Sequence, residues 1–128
     1  MHILLVEDDP NILDMYKSAL EQNGYSVYTA SDGEMAVKQA LDKRPDLLLL
    51  DLGIPKLNGL QVMEKVREDE WGKKVPIIIL TNFNPDDKIL NAVVKGNPTY
   101  YLIKSDVTPE GIVLKIQEVF KENKNPAA

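Results

Sequence analysis

The stretch Ile3-Leu4-Leu5-Val6-Glu7-Asp8-Asp9-Pro10 decides the fold. Ile3 to Val6 is too short for a helix and does not alternate, which suits a strand buried on both faces, as in a parallel sheet. The acids after Val6 end that strand, and Asp9-Pro10 reads as the cap and first residue of a helix. Two further runs, Leu47 to Leu50 and Val75 to Leu80, have the same character. Helical spacing fills the intervals. Ile12, Leu13, Tyr16 and Leu20 share a face that Asn23-Gly24 terminates. Ser31 with Glu34 predicts a capping box ahead of Ala36, Val37, Ala40 and Leu41. Leu60, Met63 and Val66 mark a third helix. Asn84-Pro85 is expected to open a fourth, with Ile89, Leu90, Val93 and Val94 on one side. Thr108-Pro109 opens a fifth, carrying Ile112, Val113, Ile116 and Phe120.

Tyr25 to Thr29 and Tyr100 to Ile103 are weaker strands, expected at the sheet edges. Strand and helix thus alternate through the chain, which means an α/β fold with right-handed crossovers. The expected architecture is a flavodoxin-like doubly wound sheet of five parallel strands, order 2-1-3-4-5, with five helices. At 128 residues the chain suits one domain, expected over 1–122 with a flexible tail at 123–128. Lys plus Arg number 15 against 20 Asp plus Glu, a net charge of −5. That disfavours nucleic-acid binding through bulk charge. The absence of cysteine excludes disulfides, thiolate metal sites and cysteine nucleophiles. No apolar run suits a membrane span and Met1-His2-Ile3 has no basic lead-in, so a cytoplasmic domain is expected.

In an open parallel sheet, ligands sit beyond the carboxyl ends of the strands. The first strand ends in Glu7-Asp8-Asp9, the third in Asp51, the fourth in Thr81 and the fifth in Lys104. Carboxylates crowded together repel unless a cation joins them. An oxygen-only donor set favours a hard ion, Mg²⁺ above all. A carboxylate such as Asp51 can act as nucleophile toward phosphorus. Lys104 and Thr81 could then serve the phosphoryl oxygens. Taken singly, each residue has a plainer reading: Asp9 as a helix cap, His2 as a surface residue, Trp71 as packing. Their conjunction at four strand ends is what points to a site.

These residues resemble the receiver domain of two-component response regulators, from Met1 to about Phe120. The resemblance implies that Glu7 and Asp8 are the acidic pair and that Asp51, in Asp51-Leu52-Gly53-Ile54-Pro55, is the phosphorylated aspartate. It implies further that Thr81 is the switch hydroxyl, Lys104 the site lysine and Tyr101 an aromatic that rotates on activation. Mg²⁺ would be held by Asp8, Asp51 and the Gly53 backbone carbonyl, with Glu7 acting through water. The implied partners are a sensor histidine kinase or phosphotransfer protein and a downstream protein. A phosphorylation-dependent dimer through the fourth and fifth helices is a family analogy, and neither nucleic-acid nor membrane contact by this domain is implied. Departures from the family pattern are Asn82 after Thr81, Ser105 in place of a proline after Lys104, Phe83, and Gly53 with no side chain at the pocket mouth.

Three other readings stand beside this one. A dehalogenase-type phosphohydrolase would need an acid two positions after Asp51, where Gly53 stands. A flavodoxin-type binder would need a phosphate cradle where Glu7-Asp8-Asp9 would repel the anion. A degenerate receiver would fold without being phosphorylated, though every required group is present. The resemblance fits both a stand-alone receiver and one excised from a longer regulator.

Overall fold

The computed structural model describes residues 1–82 and 86–124. Five parallel strands, β1 (His2–Val6), β2 (Ser26–Ala30), β3 (Leu47–Leu50), β4 (Ile77–Thr81) and β5 (Tyr100–Ile103), form one sheet in the order β2-β1-β3-β4-β5. The helices are α1 (Pro10–Gln22), α2 (Gly33–Lys43), α3 (Gly59–Glu68), α4 (Asp87–Gly96) and α5 (Pro109–Lys124). The expected strand order is the observed one.

Alternation along each central strand divides the core in two. Leu4, Val6, Leu48, Leu50, Ile77 and Ile79 face one way and pack with α2 and α3. Ile3, Leu5, Leu47, Leu49, Ile78 and Leu80 face the other way, against α1 and α5. All twelve are at most 2% exposed, which is why these runs lack a polar alternate. Trp71, in a short 3₁₀ turn ahead of β4, packs partly buried against the first of these layers.

Local signals set most helix starts. Asp9 caps α1 by accepting from the Asn11 and Ile12 amides at 2.9 and 3.3 Å. The Thr108 hydroxyl takes the Gly111 amide at 3.0 Å at the head of α5. Two expectations need correction. The cap of α2 is Asp32, whose carboxylate accepts from Met35 N at 2.8 Å, rather than a box of Ser31 and Glu34. A capping box does exist at α3, where Asn58 and Gln61 exchange side-chain and backbone hydrogen bonds. At α4 the cap is Asp86, accepting from Ile89 N; Phe83 and Asn84-Pro85 lie outside the described residues. The apolar positions of α4 also split. Val93 is buried, whereas Leu90 and Val94 are 47% and 69% exposed.

Arg67, near the end of α3, ties three elements together. Its Nε donates to the Gly96 carbonyl at 2.8 Å and one Nη to Asn97 at 3.1 Å, at the carbonyl end of α4. The other Nη donates to the Gly72 and Val75 carbonyls, both at 2.6 Å. A cation at a helix C-terminus also meets the negative end of its dipole. Arg67→Met keeps the apolar stem and removes every donor. It should cost about 2–4 kcal/mol of stability, because each lost charged hydrogen bond is worth about 1.5–3 and water restores part. Urea unfolding of the variant checks this; a midpoint within error of the parent would refute the assignment.

Candidate functional site

Parallel register brings the acids together. Val6 pairs with Leu50 and Leu50 with Ile79, so β1, β3 and β4 end close to one another. The Asp51 amide donates to the Val6 carbonyl at 3.2 Å, setting Asp51 beside Glu7. The Glu7, Asp8 and Asp51 carboxylates each offer an oxygen within 4.8 Å of the others. Glu7 and Asp51 are buried, at 3% and 7% exposure, while Asp8 is open to solvent.

From the end of β5, Lys104 reaches across this group. Its ammonium donates to Glu7 Oε2 at 2.5 Å and to Asp51 Oδ2 at 2.7 Å. The second oxygens are also engaged: Glu7 Oε1 accepts from Asp9 N at 3.2 Å and Asp51 Oδ1 from Gly53 N at 3.1 Å. Burial pushes the Glu7 carboxyl above its ordinary range, although Lys104 and the Asp9 amide oppose the rise. For Lys104, burial alone would lower the pKa; the hydrogen bonds and charges of Asp51 and Glu7 outweigh it and hold the ammonium above its usual value. A buried Lys between two carboxylates is thus a charged, self-consistent cluster.

Thr81 closes β4 at 1% exposure, its strand paired with β5 through Thr81 and Ile103. Tyr101 lies within β5 opposite Ile79, partly buried against the layer formed by α2 and α3. Burial, and then the charge of Asp51, raise its phenol. Asp9 serves as the α1 cap, and His2 is exposed at the far end of β1, stacked on Tyr28 with ring centroids 5.5 Å apart. The Lys104–Ser105 peptide is trans. One contributor escaped the sequence reading. Tyr16 was expected only as core, and it is buried, yet its phenol also feels the charges of Lys104, Glu7 and Asp51.

The loop after β3 is held tightly beneath this cluster. Gly59 N donates to the Leu52 carbonyl at 3.0 Å, and a Cβ at Gly59 would stand 2.4 Å from the Asp51 carbonyl oxygen. Only glycine lets α3 begin so close to the loop. A groove of about 770 Å³ between α3 and α4, bordered by Gln61, Arg67 and Lys95, is not lined by Glu7, Asp8 or Asp51.

The family model for the response regulator receiver domain matches residues 3–117. The chain belongs to that family. As a receiver domain of two-component regulators, it is phosphorylated on an aspartate. The receiver is 42% identical over 89 residues to the alkaline phosphatase synthesis transcriptional regulatory protein PhoP of Bacillus subtilis, covering 69% of this chain and 36% of that protein. The chain therefore spans well under two thirds of that relative's length. Among solved structures, a CheY-like receiver domain protein from Methanospirillum hungatei superposes with a TM-score of 0.88 at 26% identity, over 97% of this chain and 96% of that one. The receiver domain of the sensor histidine kinase PA1611 from Pseudomonas aeruginosa, solved with a magnesium ion coordinated in its active-site cleft, gives 0.81 at 32% identity, covering 91% and 94%. No helix among the described residues of the receiver is long and apolar enough to cross a membrane.

Proposed function

We propose that Asp51 is the phosphoacceptor and that Glu7, Asp8, Thr81 and Lys104 form the machinery around it. The observation that carries this reading is the Lys104 ammonium 2.7 Å from Asp51 Oδ2, facing an all-oxygen cluster. The donor set fits Mg²⁺: hard oxygens, one exposed carboxylate and room for water. Asp8, Asp51 and the Gly53 backbone carbonyl would hold the ion directly. Glu7 would act through water. The bound ion would neutralise charge on the phosphoryl oxygens.

An Asp51 oxygen attacks phosphorus of a phosphohistidine on a sensor kinase or phosphotransfer protein. The new O–P bond forms as the P–N bond breaks, and the donor histidine, already protonated on its other ring nitrogen, leaves as neutral imidazole. Lys104 stays on the Asp51 side and supports the transferred oxygens, while the Thr81 hydroxyl donates to one of them. Thr81 drawn inward would leave space for the Tyr101 ring, biasing a two-state equilibrium of α4, β5 and α5. Those helices leave Leu90, Val94 and Leu114 in solvent, apolar surface suited to a downstream protein or a second copy. The domain, expected over residues 1–122 and with α5 continuing to Lys124, is a cytoplasmic signalling switch rather than an enzyme with a turnover substrate. It promotes its own phosphorylation and dephosphorylation.

Incubation with acetyl phosphate and Mg²⁺ should add one phosphoryl mass to the intact protein, and EDTA should prevent it. Beryllofluoride should shift the amide spectrum of α4, β5 and α5. An unchanged mass together with an unchanged spectrum would overturn the reading.

A further inference from the structure

The loop that carries Asp51 and Gly53 is gripped from a second side, by the head of α2. Gly33 N, the first amide of that helix, donates to the Pro55 carbonyl at 3.0 Å. Gly33 is buried, and a Cβ there would stand 1.9 Å from the Leu57 carbonyl oxygen and 2.5 Å from the Leu57 Cβ. Beside it Asp32, held by the Met35 amide, faces the Lys56 ammonium at 3.6 Å, and Glu34 faces it at 3.9 Å. Lys56 itself takes a left-handed backbone at φ 69°, a conformation that a non-glycine residue keeps only where its surroundings hold it. Leu52 and Ile54 point into the core, so the loop is fixed by side chains below and by helix N-termini at both flanks.

We propose that Gly33 is a positioning residue for metal binding: by clamping the Pro55–Leu57 backbone to α2, it holds the Asp51–Gly53 segment in the shape that receives Mg²⁺. The inference rests on the Mg²⁺ site proposed above. Gly33 touches neither ion nor phosphoryl group and acts through the loop. The binding cost it removes is the ordering of a solvent-facing turn, since Gly53, Pro55 and Lys56 are all exposed. Asp32 and Lys56 are minor contributors, because the Lys56 side chain is 57% exposed and its ion pair is screened.

The test compares two closely packed glycines. Gly72→Ala places a Cβ 1.8 Å from the Val66 carbonyl oxygen, as severe a conflict as at Gly33 but remote from the site. Both variants should lose melting temperature. Titrated with MgCl₂ and followed by NMR, Gly33→Ala should bind Mg²⁺ about tenfold more weakly, within the usual range of coupling between sites, while Gly72→Ala keeps the parental affinity. Equal affinities in folded Gly33→Ala and the parent would overturn the proposal, as would an equal loss in Gly72→Ala. Coupling is reciprocal, so in the unmodified protein saturating Mg²⁺ should slow exchange of the Gly33 amide about fivefold or more. This second measurement decides the matter if either variant fails to fold, and unchanged Gly33 exchange in metal-saturated protein would refute the clamp. A parent that binds no Mg²⁺ at all would instead bring down the metal site itself, and the clamp with it.

Discussion

Asp51→Asn is expected to take no phosphoryl group from acetyl phosphate or a phosphorylated kinase, in a protein that remains folded. The amide has no anionic oxygen to attack phosphorus, so the loss should be complete rather than partial. The fold should survive for a local reason. Lys104 keeps its hydrogen bond to Glu7, and an Asn oxygen can still accept from Gly53 N as Asp51 Oδ1 does. Removing one of two buried carboxylates also relieves repulsion between like charges. Any stability change should stay within about 1 kcal/mol, the range of a substitution that opens no cavity and strands no charge. Mg²⁺ binding should weaken as well, since one of the oxygens within 4.8 Å of the others is lost as an anion. Intact mass spectrometry and a urea midpoint together check the prediction. Phosphoryl incorporation that persists in the variant would mean that another side chain is the acceptor.

Much of this was legible from strand ends. The central runs of β1, β3 and β4 announce themselves because strands buried on both faces tolerate no polar alternate, and parallel order then carries their terminal residues to one edge. Hence Glu7, Asp51, Thr81 and Lys104 could be named together before any contact was seen. What could not be read was which of several competing local signals would win. Ser31, Asp32 and Glu34 offer two caps within one stretch, and tertiary packing of Gly33 against Leu57 selects Asp32. In α4 the adjacent pairs Ile89-Leu90 and Val93-Val94 fit an apolar stripe, yet only one member of each is turned inward, so Leu90 and Val94 face water. Arg67 was invisible for another reason. Its partners are backbone carbonyls at Gly72, Val75, Gly96 and Asn97, which carry no side-chain signature. The Gly33 clamp is likewise a backbone contact between segments distant in sequence.

Lys104→Met should destabilise the protein most at neutral pH, with the deficit shrinking toward acid. The Lys104 side chain is 11% exposed and lies between carboxylates that are nearly buried, so the apolar replacement leaves two adjacent anions without their cation. Breaking a buried pair in this way costs about 3–5 kcal/mol, and the nearby exposed Asp8 edge argues for the lower end. In the intact protein the Lys104 contribution is present throughout neutral pH and is lost only in alkali, because the folded-state pKa is raised. In the variant the pH dependence keeps this sign, but its window moves down from alkali to the raised carboxyl range. Glu7 is already raised by burial, and loss of Lys104 removes the largest influence opposing that rise. Native carboxyls with raised pKa bind protons more tightly than the unfolded chain does. Stability is therefore retained below the ordinary carboxylate pKa and falls as pH climbs through the raised one. Urea midpoints near pH 5 and near pH 7.5 should accordingly diverge, with the larger deficit at the higher pH. Millimolar Mg²⁺ should recover part of the neutral-pH loss by supplying the missing positive charge, whereas it should do less for the parent, in which Lys104 already balances the cluster. A deficit independent of pH and unresponsive to Mg²⁺ would show that Lys104 contributes by packing alone.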